Sequence, residues 1–233
     1  MLETAISPLP LAAVPVPLAV RWLGRMPYAT ALDEQHRLHA ARLAGAVTDT
    51  LLLLEHPPVY TLGRNSDPAA ILHSESFLSQ RGATVERNER GGGVTFHGPG
   101  QLVAYPIIGL GPEERSLRLL VDRLEDVILA TLGDFGLQGR RDASDRGVWI
   151  GTRKVASIGL AARHWTVLHG IGLNVSTDLS YFTYINPCGH AGLEVTSMAR
   201  ELGTAPPVPE VAATFARHFA AIFGRTAVDP PAF

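Results

Sequence analysis

Two hydrophobic periods divide this chain. From Pro27 to Val47, Ala31, Leu32, Gln35, Leu38 and Leu43 roughly keep the helical spacing, and Gly45 lies near the end, so a helix is predicted there. Leu51 to Leu54 is a continuous apolar run, read as a buried strand, followed by the turn Glu55-His56-Pro57-Pro58. Tyr60 to Leu62 reads as a short strand, Asp67 to Gln80 as a short helix, and Thr84 to Asn88 as a strand leading into a glycine loop. Gln101 to Ile108 is a strand in which Pro106 suggests an edge or a bulge. Ser116 to Phe135 is the clearest helix. Ser116 is its N-cap, Leu117, Leu120, Val121, Leu124, Val127, Ile128 and Leu132 form its stripe, and Gly136 closes it. Gly147 to Ile150, Lys154 to Ala161 and Thr166 to Val175 read as a three-stranded meander. Pro209 to Phe223 is a final amphipathic helix ending at Gly224. Strands mixed irregularly with helices, without a repeat period, indicate an α+β fold and not a doubly wound sheet.

The N-terminus departs from this pattern. Leu9 to Val20 is apolar, but Pro10, Pro15 and Pro17 interrupt it and no basic residue precedes it, so it makes a poor signal peptide. Residues 1–19 are therefore expected to be a proline-rich, poorly packed extension, and residues 20–233 a single domain. A chain of 233 residues can bury a core of this size. With 46% apolar and 18% charged residues the composition is globular. The net charge of −2 argues against a general nucleic-acid binder. No apolar run is long enough to span a membrane. One cysteine and no export signal point to the cytoplasm.

Charge usage carries one further signal. The chain has nineteen arginines and one lysine, Lys154. A surface that accepts arginine wherever a cation suffices leaves its last lysine as a candidate for proton chemistry, because a guanidinium does not release its proton in proteins.

Four segments are candidates for chemistry. Arg90 to Gly100 holds five glycines in eleven residues, which lets backbone pass close to a ligand. No Gly-Lys-Ser/Thr follows, so a nucleotide cradle is weakly supported; a bulge with a hairpin turn is the plain alternative, and Arg90 and His97 at the two ends favour a ligand loop. Lys154 opens a strand of small residues, where a half-buried amine would have a depressed pKa, although a solvated edge lysine is commoner. The strand Val167 to Val175 carries Gly170 and Gly172 at alternate positions, which close approach of a ligand would explain. Finally, Cys188 sits in the turn Asn186-Pro187-Cys188-Gly189, beside His190. A lone cysteine is usually a small buried hydrophobe. A nucleophilic thiol needs a nearby base or cation, for which Lys154 and His190 are candidates. Zinc is weakly supported, because among His97, His169, Cys188 and His190 only the tight Cys-x-His pair has a ligand spacing.

Taken in order, EHPPVYTLGR (55–64), RGGGVTFHGPGQLVAYPI (90–107), GVWI (147–150), KVASIG (154–159), HGIGLNV (169–175) and INPCG (185–189) closely resemble the octanoyltransferases of lipoate biosynthesis, the lipoate-protein ligase B family. The resemblance covers about residues 20 to 200. It implies a biotin/lipoate ligase-like α+β fold, with a larger mixed sheet, a small sheet and packed helices. It also implies transfer of an octanoyl group from acyl carrier protein to a lysine of the lipoyl domains of 2-oxoacid dehydrogenases and of the glycine cleavage H protein. By this resemblance Cys188 is the nucleophile and Lys154 activates it. Arg90, Gly91, Gly92, Gly93, Val94, Thr95, Phe96 and His97, with Ser157, Ile158 and Gly159 and with His169, Gly170 and Ile171, fall in substrate-contacting segments. No metal and no cofactor are implied.

The chemistry is self-consistent. Exchange of one thioester for another is nearly isoenergetic, and aminolysis of a thioester is downhill, so no ATP is required. Two rivals remain. An ATP-dependent lipoate ligase of the same fold uses an adenylate and needs no thiol. A carrier protein would instead be acylated on Lys154, but the chain is far longer than a lipoyl domain and lacks an Asp-Lys pair at the turn.

Overall fold

The computed structural model describes residues 16–143, 145–186 and 193–228. Eight strands form a mixed sheet in the order β11-β1-β2-β6-β10-β9-β8-β7. They are β1 (Val16–Arg25), β2 (Asp49–Glu55), β6 (Gln101–Ile107), β7 (Arg140–Arg141), β8 (Val148–Ile150), β9 (Arg153–Arg163), β10 (Thr166–Asn174) and β11 (Arg225–Val228). β1 runs parallel to both β2 and β11, and the other neighbours are antiparallel. A second sheet, β4-β3-β5, is built from β3 (Val59–Leu62), β4 (Thr84–Arg87) and β5 (Val94–His97).

Helices cover both faces of the large sheet. α3 (Leu117–Asp134), the short α4 (Met198–Leu202) and α5 (Val208–Ile222) lie on one side, and α1 (Tyr28–Leu43) lies on the other. The leucine run in β2 shows why it reads as continuously apolar. Leu51 and Leu53 enter the α3/α5 core, while Leu52 and Leu54 enter the α1 core. Alternate side chains of a strand point to opposite faces, so a strand covered on both sides is apolar throughout. Each fully buried leucine contributes roughly 1.5–3 kcal/mol. A third core joins the small sheet to α2 (Glu75–Gln80) and to the 3-10 segment Leu179–Tyr184, around Tyr60, Leu78, Phe96 and Phe182.

The meander is found as β8-β9-β10. Ser116 caps α3, its Oγ accepting from the Leu119 N–H at 3.2 Å. The expected helix over Asp67–Gln80 is in fact a 3-10 turn at Pro68–Ala70 followed by α2. Val16 to Ala19, assigned by sequence to the extension, already pair with β11, and Leu18 is fully buried. The glycine loop also contains strand β5, which pairs with β3.

Pro106 does not mark an edge, because β6 is a central strand. Its ladder with β10 stops at Ile171↔Ala104 and resumes at Gly109↔Thr166 in the same register. That register sets Pro106, which has no N–H, opposite His169. His169 adopts a left-handed φ of 60°, a conformation rare outside glycine. Its N–H donates instead to Gln35 Oε1 on α1, at 2.9 Å. The His169 backbone N–H is thus satisfied although the ladder opens at Pro106.

Candidate active site

A cavity of about 370 Å³ lies between the small sheet and the β9–β10 part of the large sheet. Of the residues singled out from sequence, Arg90, Gly92, Gly93, Val94, Thr95 and His97 line it from the small-sheet side. Lys154, Ser157, Ile158, Gly159, His169, Gly170 and Ile171 line it from β9 and β10. Gly91 and Phe96 do not. The Gly91 N–H is bound to the Leu160 carbonyl at 2.8 Å, and the Phe96 ring stacks on Tyr181 within the small-sheet core. Cys188 and His190 lie outside the described residues.

Several glycines serve chain-to-chain approach. A Cβ on Gly63 would lie 2.9 Å from the Arg90 carbonyl, and one on Gly159 would lie 3.1 Å from Arg90 Cδ. These contacts and the Gly91–Leu160 hydrogen bond dock the glycine loop onto β9. The alternating glycines of β10 have the same explanation. A Cβ on Gly170 would collide with the Ala104 carbonyl of β6 and would sit 2.9 Å from Pro106 Cδ. On Gly172 it would sit 2.7 Å from Gln101 Oε1. The close approach at these two glycines is to β6 and to His97, where the sequence points to a ligand; both glycines also line the cavity. The Arg90 guanidinium donates to the Thr61 carbonyl at 2.5 Å and to Thr61 Oγ1 at 2.9 Å, so it also ties loop to β3.

Lys154 is a buried residue of a strand interior, and not a solvated edge lysine. Its Nζ lies 2.7 Å from Asp145 Oδ2 and 5.1 Å from the centre of the Trp149 ring. Its stem passes over Gly147, where a Cβ would stand 3.1 Å from Lys154 Cε. Asp145 escaped the sequence reading. Its spacing of nine residues from Lys154 has no helical or strand periodicity, and only the loop before β8 brings the two together.

The described residues flanking the cysteine segment are anchored. On one side the Asn186 N–H donates to the Ala70 carbonyl at 2.7 Å. On the other, Leu193 lines the cavity, and the chain then runs alongside Lys154. The Lys154 N–H donates to the Glu194 carbonyl, and the Thr196 N–H donates to the Lys154 carbonyl, both at 2.9 Å.

Tyr28, Tyr105, His97 and His169 also line the cavity, and His56 packs against the first three of them without lining it. His56 Nδ1 donates to the Met26 carbonyl at 2.6 Å, which leaves Nε2 to accept from the Tyr105 hydroxyl at 2.8 Å. Burial pushes His56 down to about 4 and His97 down to about 3. Burial also takes His169 down to about 4, with the Glu89 carboxylate, 3.5 Å away, opposing it. All three imidazoles are neutral at pH 7. Burial raises Tyr28 to about 12. The cavity thus holds neutral imidazoles together with the charged Arg90, Arg146, Lys154 and Asp145, the last two paired with each other.

Comparison with known proteins agrees with this architecture. The sequence profile of the lipoyl protein ligase A/B catalytic domain matches residues 27–220. An octanoyltransferase of Solibacter usitatus is 49% identical over 204 residues, covering 88% of this chain and 92% of the relative. One from Syntrophobacter fumaroxidans is 45% identical over 203 residues, covering 87% and 89%. Among solved structures, a bi-partite lipoate protein ligase from Thermoplasma acidophilum superposes with a TM-score of 0.71 at 15% identity, covering 91% of this chain and 88% of that one. A biotin protein ligase from Aquifex aeolicus superposes with a TM-score of 0.54 at 16% identity, covering 88% and 69%.

Proposed function

This chain belongs to the lipoyl protein ligase A/B catalytic family, and from that membership we propose that it is an octanoyltransferase working through an acyl-thioester on Cys188. Octanoyl transfer in protein lipoylation follows from its 45–49% identity to octanoyltransferases over nearly the whole of both chains. Octanoyl-acyl carrier protein is the proposed donor. The acceptor is a lysine of a lipoyl domain, including those of 2-oxoacid dehydrogenases and of the glycine cleavage H protein. The proposed compartment is the cytoplasm; among the described residues no helix is long and apolar enough to cross a membrane.

The proposed cycle balances without ATP. The Cys188 thiol gives its proton to the Lys154 amine, and the thiolate attacks the donor carbonyl. The C–S bond to the carrier breaks, and the Lys154 ammonium protonates the departing thiolate. Octanoyl-S-Cys188 and the free carrier thiol result. In the second half the acceptor amine attacks the new thioester, Lys154 takes one of its protons, and Cys188 leaves as thiolate. The product is an amide, and the Cys188 thiolate and Lys154 ammonium are regenerated. A free thiol is only a few per cent ionised at neutral pH, so a proton acceptor within reach is worth most in the first half. The supporting observation is that buried Lys154 lines the cavity, while the chain that follows the cysteine segment is hydrogen-bonded to the Lys154 backbone. Asp145 gives the ammonium form of Lys154 a charge partner.

The test is incubation with octanoyl-acyl carrier protein, followed by addition of a lipoyl domain. The expected result is a hydroxylamine-sensitive octanoyl adduct on Cys188, no such adduct in Cys188→Ala, and transfer without ATP. Strict dependence on ATP and free octanoate would instead make the protein a ligase. A stable amide on Lys154 would make it a carrier.

A further inference from the structure

A chain of buried amide hydrogen bonds runs from a backbone carbonyl beside Lys154 to the imidazole of His97. Thr196, whose N–H is bound to the Lys154 carbonyl, presents its own carbonyl to Asn174 Nδ2 at 3.0 Å. A carbonyl only accepts, so that end of Asn174 is its NH₂ group and the other end is Oδ1. Asn174 Oδ1 accepts from Gln101 Nε2 at 2.9 Å, and Gln101 Nε2 also donates to the Phe96 carbonyl at 3.1 Å. Two backbone carbonyls, one at each end, therefore fix the orientation of both amides independently. Gln101 Oε1 is left facing His97 Nδ1 at 2.7 Å. An amide oxygen only accepts, so Nδ1 carries the proton and Nε2 carries the lone pair. Gln101, Asn174, His97 and Thr196 are all buried. Gly172 supplies the room: a Cβ there would lie 2.7 Å from Gln101 Oε1 and 3.3 Å from His97 Nδ1.

His97 lines the same cavity as Lys154. Among the described residues no donor is bonded to its Nε2. The octanoyl thioester brings only acceptors to the reacting carbon, its carbonyl oxygen and its sulfur. The attacking amine brings N–H bonds, and the tetrahedral adduct that it forms has two. Lys154 can take the proton from one of them. The other needs an acceptor that holds the nitrogen in line.

We propose that Gln101 and Asn174 are positioning residues that lock His97 as its Nδ1–H tautomer, so that His97 Nε2 accepts an N–H of the acceptor lysine as it attacks the acyl-thioester. The inference rests on the octanoyltransferase reading above. His97 neither gains nor loses a proton in the step: octanoyl-S-Cys188 and R–NH₂ become the octanoyl amide and HS-Cys188, with one amine proton passing through Lys154. The device acts in aminolysis and not in acylation, because no acceptor amine is present when the octanoyl thioester reaches the enzyme.

Two measurements on the full chain test it. In the wild-type protein, ¹⁵N-histidine NMR between pH 6 and 8 is expected to show His97, assigned by the signal lost in His97→Gln, with a proton on Nδ1 and a bare Nε2. An Nε2–H tautomer or an imidazolium would overturn the proposal without any functional assay. In Gln101→Met the imidazole is released, and the expected spectrum gains the Nε2–H tautomer. Acylation of this variant by a small octanoyl thioester is expected to stay within about twofold of wild type, while transfer from acylated Cys188 to a lipoyl domain slows about tenfold, the loss of one hydrogen bond made to the attacking group. Equal loss in both halves would mark a merely structural role and overturn the proposal, as would unchanged transfer. A wild-type protein that never carries octanoate on Cys188 removes the octanoyltransferase reading itself, whereas one that does so while Gln101→Met transfers normally removes only this inference.

Discussion

Lys154 Nζ and Asp145 Oδ2 are 2.7 Å apart, with side chains 5% and 15% exposed. A half-sealed pair of this kind costs desolvation on both sides and holds geometry in return. Asp145→Asn keeps the shape and an acceptor oxygen but removes the charge. Acyl-enzyme formation by this variant is expected to fall about tenfold, the scale of one close, partly buried ion pair. Lys154→Arg keeps the charge but cannot give up its proton, so its acylation rate is expected to fall much further. Rapid-quench mass spectrometry of the Cys188 adduct measures both. A fully active Lys154→Arg would leave the lysine only an electrostatic role.

The glycines of β10 and α3 should respond in opposite directions. Gly170→Ala drives a methyl into the Ala104 carbonyl, which β6 cannot move without breaking its pairing with β2, so a loss of about 3 kcal/mol or more is expected. Gly133→Ala, in the exposed last turn of α3 with nothing within 4 Å of the new Cβ, should gain about 0.5–1 kcal/mol. Urea midpoints of the two variants against wild type decide it. A neutral Gly170→Ala would mean that β6 and β10 are not in register as described.

Acid should weaken the fold before its carboxylates titrate. His56 and His169 are held down to about 4 and His97 to about 3, against an ordinary 6.5. Below pH 6.5 the unfolded chain binds protons that the folded chain refuses. The contribution of these groups is therefore full above pH 6.5 and is lost as the pH falls towards 4, at up to about 1.4 kcal/mol per histidine per pH unit. Urea unfolding at pH 7.5, 6.0 and 5.0 is expected to show a steady fall in stability. A flat profile would mean that these imidazoles are hydrated.

Asp49 ties the sheet edge to the first helix. Its side chain is fully buried and accepts from Arg42 Nε at 2.7 Å, from Arg225 Nε at 3.0 Å and from the Gly109 N–H at 3.0 Å. Arg225 also reaches Glu114 at 2.9 Å. Asp49→Ala removes the acceptor shared by Arg42, Arg225 and the Gly109 N–H, while Arg225 keeps Glu114, and a loss of about 2–3 kcal/mol is expected. Thermal melting measures it. Cavity chemistry is remote from this cluster, so octanoyl transfer by the variant at 15 °C should be near normal.

The elements with dense local signals were legible in the sequence. α3 has a cap at Ser116 and an apolar stripe, and β2 has four consecutive leucines. The β8-β9-β10 meander has short turns, so its pairing is local. β1 was not legible. Its partners are β2, more than twenty residues on, and β11 at the far end of the chain, and Pro17 interrupts its alternation. β5 was hidden inside a glycine run because glycine carries no side-chain pattern. Phe96 shares a substrate-segment motif with His97, but strand alternation turns its ring into the small-sheet core.

The sequence by itself determined which residue types were available for chemistry: one lysine, one cysteine and the glycine-spaced strands that resemble a known family. It did so because composition and motif order are one-dimensional properties. Only the tertiary structure decided what surrounds them. Asp145 meets Lys154 through a loop, Gln101 meets Asn174 across paired strands 73 residues apart, and Gln35 of α1 accepts the His169 N–H where the β6–β10 ladder opens at Pro106. Contacts of this kind are set by register and by which faces the helices cover, and no local period in the chain encodes them.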